Sequence, residues 1–158
     1  MKSSLENFFN ILSMNYLFAT LLFSVLLWAD TISKLLSERY LENPIILIPD
    51  IFSLEYYRNP GIAFSFPLTG IALKIITCIL IFGIIWYYLT QEKHKKSLSI
   101  RIAYILVLAG ALGNAWERLF RGYVTDMLSL EYFAVFNLAD SYITLWALLL
   151  LLFYWKHS

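Results

Sequence analysis

Residues 8–29 read FFNILSMNYLFATLLFSVLLWA without a single charged side chain. A helix needs about 20 apolar residues to cross the hydrocarbon core of a bilayer, so this run is long enough to span one. The rest of the chain decides whether the run is a buried core or a membrane span. Of 158 residues, 60% are hydrophobic and 15% are charged, and the mean hydropathy is +0.68. A soluble domain carries about 25% charged residues, so this chain lacks the polar surface to cover itself in water. A soluble enzyme is excluded.

Three further stretches, at about 68–89, 101–119 and 138–155, read as spans. Four spans use about 80 residues and leave room for one small extramembrane element, hence a single integral membrane domain over residues 1–158. The first run is expected to be retained rather than cleaved. Lys2 is offset by Glu6, and the run ends in Trp28-Ala29-Asp30 instead of a small-x-small site. Lys74, near the start of the second span, could snorkel to the headgroups. Between the first two spans, charges and the breakers Asn43-Pro44, Pro49-Asp50, Asn59-Pro60-Gly61 and Pro67 punctuate short β-type stretches. The expected fold is an all-α membrane protein, a four-transmembrane-helix bundle with a small extracytoplasmic β element at about 43–67 between helices 1 and 2.

Orientation follows from Lys and Arg in short loops. Lys93, Lys95, Lys96 and Arg101 flank the second connection, with Lys2 before span one and Lys156 after span four. Lys34, Arg39, Arg58, Arg118 and Arg121 on the other side are spread out and balanced by acids. Both termini are therefore expected in the cytoplasm. The net charge of +1 forms no basic stripe, so no nucleic-acid partner is expected. Cys78 stands alone, which excludes an internal disulfide and a multi-cysteine metal site. His94 and His157 form no His-Ser, Cys-His or HExxH arrangement, so serine, cysteine and zinc chemistry have no support.

Ionisable groups at bilayer depth cost roughly 2.5–3.5 kcal/mol each to insert, so they pair, face the bundle interior and mark function. The topology places Asp30, Lys34, Asn59, Asn114, Glu117, Arg118, Asp126, Asn137 and Asp140 near the outer ends of the spans. Asp30 and Lys34 are spaced i,i+4 on a continuation of span one, which allows an ion pair; it serves either to fix the helix end or to assist chemistry. Glu117 and Arg118 point about 100° apart, so Arg118 is expected to face the bundle and neutralise carboxylates while Glu117 faces elsewhere. Asp126 follows span three and Asp140 opens span four, so the link between them can return the chain to one membrane edge. Two carboxylates sharing a site cannot both ionise cheaply; one keeps its proton as an acid while the other acts as a base, and the pair can activate water against an amide. Asp140 alone reads equally well as a helix N-cap.

The residues now assembled resemble the lipoprotein signal peptidases (signal peptidase II), the aspartic intramembrane proteases of bacteria. Asp30-Thr31-Ile32-Ser33-Lys34 resembles the family's Asp-x-x-x-Lys, and Asn59-Pro60-Gly61-Ile62-Ala63-Phe64-Ser65 its Asn-x-Gly-x-Ala-Phe-Ser loop. Gly110-Ala111-Leu112-Gly113-Asn114 with Arg118 resembles the third-helix signature. Arg121-Gly122-Tyr123-Val124-Thr125-Asp126 and Phe136-Asn137-Leu138-Ala139-Asp140-Ser141 resemble the segments bearing the two catalytic aspartates. Glu117 stands where the family usually has Asp, and the stretch at 127–136 is short, with Ser129 where an acid often follows.

The resemblance implies an aspartic endopeptidase that cuts diacylglyceryl-modified prolipoproteins just before the lipidated cysteine. Asp126 and Asp140 would be catalytic, with Asp30, Lys34, Asn59, Gly61, Asn114, Arg118 and Asn137 binding substrate or supporting the pair. It implies no metal and no organic cofactor. It further implies a monomer in contact with membrane lipid, in the bacterial cytoplasmic (inner) membrane, with the site near the outer face. Two other readings compete: an inactive relative that binds lipoprotein precursors, and a proton-coupled transporter, for which intramembrane carboxylates would be relays.

Overall fold

A computed structural model describes residues 2–61, 70–92 and 97–157, with the side chains of residues 2–15 and 157 not described. The Ala63-Phe64-Ser65 part of the loop motif, Pro67, the start of the second span and the basic cluster Lys93, His94, Lys95 and Lys96 lie outside these residues.

Helix α1 (Lys2–Tyr40) runs without a break through Asp30 and Lys34. Strands β1 (Ile45–Ile48) and β2 (Phe52–Asn59) follow, then α2 (Gly70–Tyr87), which ends in a π-helical turn at Tyr88–Glu92. Helix α3 (Leu98–Phe120) leads into β3 (Val124–Leu130) and β4 (Ala134–Phe136), and α4 (Leu138–His157) closes the described chain. Each of the four helices is long and apolar enough to cross a membrane.

Helix α3 is the axis of the bundle and packs against α1, α2 and α4. Half of its span is buried inside the protein, against 6%, 6% and 11% for α1, α2 and α4, whose remaining apolar surface is left for lipid. Lipid tails are as apolar as leucine, so contact between membrane helices rests on close backbone approach and polar groups rather than on hydrophobic burial. Ala103, Ala109 and Ala139 are accordingly fully buried. A Cβ on Gly110 would run into the Ala139 carbonyl oxygen and stand 3.0 Å from Ile143 Cγ1. Away from the sheet the bundle is filled by Ile100, Tyr104 and Val107, with Tyr88 and Trp146 ringed against Tyr104.

The β element is larger than the sequence reading placed between helices 1 and 2. The four described strands form one antiparallel sheet in the order β1-β2-β3-β4, two of them supplied by the α3–α4 link. The register sets Tyr57 opposite Asp126 and Asn59 opposite Val124, which makes Asn59 the diagonal same-face neighbour of Asp126. Helix α3 stops where Gly122 turns to φ +81°, and the N–H groups of Arg121 and Gly122 both return to the Glu117 carbonyl. Lys74 Nζ donates to the Leu119 carbonyl at 2.9 Å, closing one of the free acceptors at the end of α3.

Replacing Gly110 with Ala is expected to force α3 and α4 apart and lower stability by about 1–3 kcal/mol. Gly83→Ala on α2, where an added Cβ meets nothing within 4 Å, is expected to gain up to about 1 kcal/mol from helix propensity. Thermal unfolding of the two variants in detergent, moving in opposite directions, checks the close approach.

Candidate active site

Asp126 and Asp140 come from different elements and meet at one end of the bundle through Asn137. Helix α4 begins just after Asn137, whose side-chain Oδ1 accepts the Asp140 N–H at 2.9 Å, while Asp140 Oδ2 accepts the Asn137 N–H at 3.3 Å. This reciprocal pair is a capping box, satisfying two donors that a helix start leaves free. The cap is therefore Asn137, and Asp140 is the third helical residue. The Asn137 Nδ2 then donates outward, to Asp126 Oδ1 at 2.7 Å, to Asn114 Oδ1 at 3.1 Å and to the Thr125 carbonyl at 3.3 Å. One buried amide thus bridges the two aspartates.

Each carboxylate has a second amide. Asn59 Nδ2 donates to Asp126 Oδ2 at 3.0 Å, and its Oδ1 is occupied by the Gly61 N–H at 3.0 Å, so the short turn after β2 fixes which way the amide faces. Asn114 Nδ2, on α3, donates to Asp140 Oδ1 at 2.8 Å. Behind it, Lys34 Nζ donates to Asn114 Oδ1 at 2.9 Å and pairs with Asp30 Oδ2 at 2.8 Å, the ion pair expected from the i,i+4 spacing. Asp30 Oδ1 accepts the Ala139 N–H at 3.0 Å, adding another ligand to the start of α4. Gly113 leaves room for this: a Cβ there would stand 2.6 Å from Asp30 Oδ2.

Arg118 is half-buried, within electrostatic reach of Asp140 and Asp126, and its buried Nε has no hydrogen-bond partner among the described residues. Glu117 does not face elsewhere. It is buried and turned inward, accepting the Thr125 N–H and hydroxyl at 2.9 Å each and lying against Arg121 and Lys34. Arg121 continues the chain of contacts to both oxygens of Glu38 on α1, at 2.7 and 2.8 Å. Thr125, Arg121 and Glu38 were not singled out in the sequence as site residues. The i,i+4 spacing of Glu117 and Arg121 and the place of Thr125 just before Asp126 were the available signals.

Burial pushes the Asp126 carboxyl up to about 6; the hydrogen bond from Asn59 opposes the shift, and the nearby charge of Asp140 adds to it. The folded protein therefore holds a proton on Asp126 more tightly than the unfolded chain does. The group costs stability above about pH 6, and the cost fades as the pH falls toward the ordinary carboxylate value. The stability of wild type relative to Asp126→Asn is expected to fall by on the order of 2–3 kcal/mol as the pH rises from 4 to 7. Unfolding curves across that range check it, and a pH-independent difference refutes it. Asn137→Ala is expected to lose about 1 kcal/mol from the cap alone, and more from the orphaned Asp126.

Fold and site together describe a multi-pass membrane protein with paired carboxylates at one edge of a helix bundle. The family model of signal peptidase (SPase) II matches residues 22–156. The chain is 41% identical over 120 residues to the lipoprotein signal peptidase of Streptococcus thermophilus, covering 75% of this chain and 78% of that one. It is 35% identical over 143 residues to that of Fusobacterium nucleatum, covering 88% and 85%. A bacterial membrane enzyme solved by the in meso method at 2.3 Å superposes with a TM-score of 0.76 at 25% identity, over 87% of each chain. Another, solved at 1.9 Å, shares the fold with the same TM-score at 23% identity, over 89% of this chain and 94% of that one. The chain belongs to the signal peptidase II family and is a multi-pass bacterial membrane protein.

Proposed function

We propose that this protein is an aspartic endopeptidase that removes the signal peptide from diacylglyceryl-modified prolipoproteins, cutting just before the lipidated cysteine, with Asp126 and Asp140 as the catalytic pair. The observation that carries the reading is the Asn137 amide, which holds carboxylates from β3 and α4 in one buried polar cluster. Elsewhere in a membrane such a pair would be an unsupported expense; here every oxygen of both carboxylates accepts a hydrogen bond.

The chemistry follows from one proton shared by two acids. The ionised carboxylate takes a proton from water as its oxygen bonds to the scissile carbonyl carbon. The protonated one supports the developing oxyanion. Collapse of the tetrahedral intermediate breaks the C–N bond, and the nitrogen leaves with a proton from the pair. The products are a signal peptide ending in a carboxylate and a lipoprotein beginning with the amine of its cysteine. Arg118, whose buried Nε has no partner among the described residues, supplies a donor for a substrate carbonyl.

A lipid-anchored substrate arrives sideways in the bilayer, which suits a site at the membrane edge under a sheet. The basic residues of the second connection support an orientation with both termini in the cytoplasm and the sheet and site near the outer face of the cytoplasmic membrane.

Asp126→Asn and Asp140→Asn are each expected to abolish cleavage of a synthetic lipidated prolipoprotein in nanodiscs, with both variants still folded. Turnover at the wild-type rate by either overturns the pair. Binding without cleavage by the wild type itself favours the precursor-binding reading.

A further inference from the structure

Glu117 makes contacts that its charge balance does not require. Lys34, 3.4 Å from Glu117 Oε2, already pairs with Asp30 at 2.8 Å, and Arg121, 2.9 Å from Oε1, already holds both oxygens of Glu38. What no other described carboxylate supplies is the grip on Thr125: Oε2 accepts its N–H and Oε1 its hydroxyl, both at 2.9 Å. Thr125 is fully buried, so without Glu117 its N–H and hydroxyl would lose these acceptors out of reach of water. Its carbonyl is held on the other side by Asn137 Nδ2 at 3.3 Å.

The residue immediately before Asp126 is thus pinned between the end of α3 and the cap of α4. The same carboxylate reaches the other aspartate through Lys34 and Asn114.

We propose that Glu117 is a positioning residue for hydrolysis: by clamping Thr125 it fixes the start of β3 against α3 and so sets Asp126 at the height of Asp140. The proposal rests on the assignment of these two aspartates as the catalytic pair. Glu117 touches neither aspartate in the contacts described, so its effect falls on the geometry of the reacting groups rather than on substrate affinity.

The test is steady-state cleavage of the lipidated substrate in nanodiscs, with kcat expressed per folded enzyme and unfolding temperatures recorded alongside. Glu117→Gln, which keeps the shape but replaces one acceptor by a donor, is expected to lower kcat by about 10- to 100-fold while KM stays within about twofold of wild type. Glu117→Asp keeps the charge on an arm one methylene shorter and is expected to fall between wild type and Glu117→Gln. Thr125→Val removes only the hydroxyl arm and is expected to cost a few-fold in kcat. The double variant Glu117→Gln/Thr125→Val is expected to lose less than the product of the single losses, because both changes cut one contact.

A kcat within twofold of wild type in Glu117→Gln, a loss confined to KM, or losses that multiply independently overturn the proposal. Should Glu117→Gln fail to fold, Thr125→Val decides it alone, and an unchanged kcat there overturns it. Asp126→Asn run in parallel separates the two claims: cleavage by that variant defeats the catalytic pair, whereas an inactive Asp126→Asn beside a fully active Glu117→Gln defeats only the positioning role.

Discussion

Two like charges brought together at the edge of a bilayer repel each other and lose their hydration, and the structure answers both problems with one side chain. Asn137 caps α4, and in doing so it orders Asp140 through the reciprocal bonds of the capping box. Its remaining amide hydrogens are then free to hold Asp126 and Asn114. Because the same residue starts the helix and bridges the carboxylates, the position of α4 and the geometry of the pair cannot vary independently. A polar cluster in which all four oxygens of the two carboxylates accept hydrogen bonds rigidifies its surroundings, whereas orphaned carboxylates would be worse than an apolar core.

The cluster in turn explains the shape of the bundle. Lys34 and Asp30 on α1, Asn114 and Glu117 on α3, and Ala139 on α4 are joined end to end by hydrogen bonds and ion pairs, so three helices are fastened at one membrane edge. Gly110 and Gly113, three residues apart on α3, permit the approach of α4 and of Asp30 respectively. In lipid, where burial of apolar surface gives helices little reason to associate, such small residues and polar ties hold the contact. The sheet has a complementary role. It brings Asn59 of one loop and Asp126 of the other into diagonal register, placing the second amide on the second carboxylate.

Most of the candidate site was legible as a set of polar residues at the ends of apolar runs, because an ionisable group in that setting has to pair. The Asp30–Lys34 pair was legible from its helical spacing alone. Glu117 was misread, since adjacency to Arg118 says only that two side chains diverge, not which of them finds buried partners. Here Thr125 and Arg121 draw Glu117 inward. Strands β3 and β4 were missed for a related reason: their short segment carries Asp126 and Ser129 where a simple strand pattern would be apolar, and β3 joins the sheet through β2, far away in the chain.

The sequence by itself determined that the chain lives in a membrane, that it has four spans' worth of apolar residues, and which polar residues stand at their ends. Those are properties of composition and of periodicity over about 20 residues, and they need no knowledge of the partners. Only the tertiary structure decided that the two links build a single sheet, that Asn137 rather than Asp140 is the cap, and that Thr125 is clamped by Glu117. The sheet pairs segments remote in sequence, whereas the cap and the clamp join residues only three and eight apart; in all of them the direction of a single backbone or side-chain group, unlike the hydropathy of a run, is fixed only when its partner is in place.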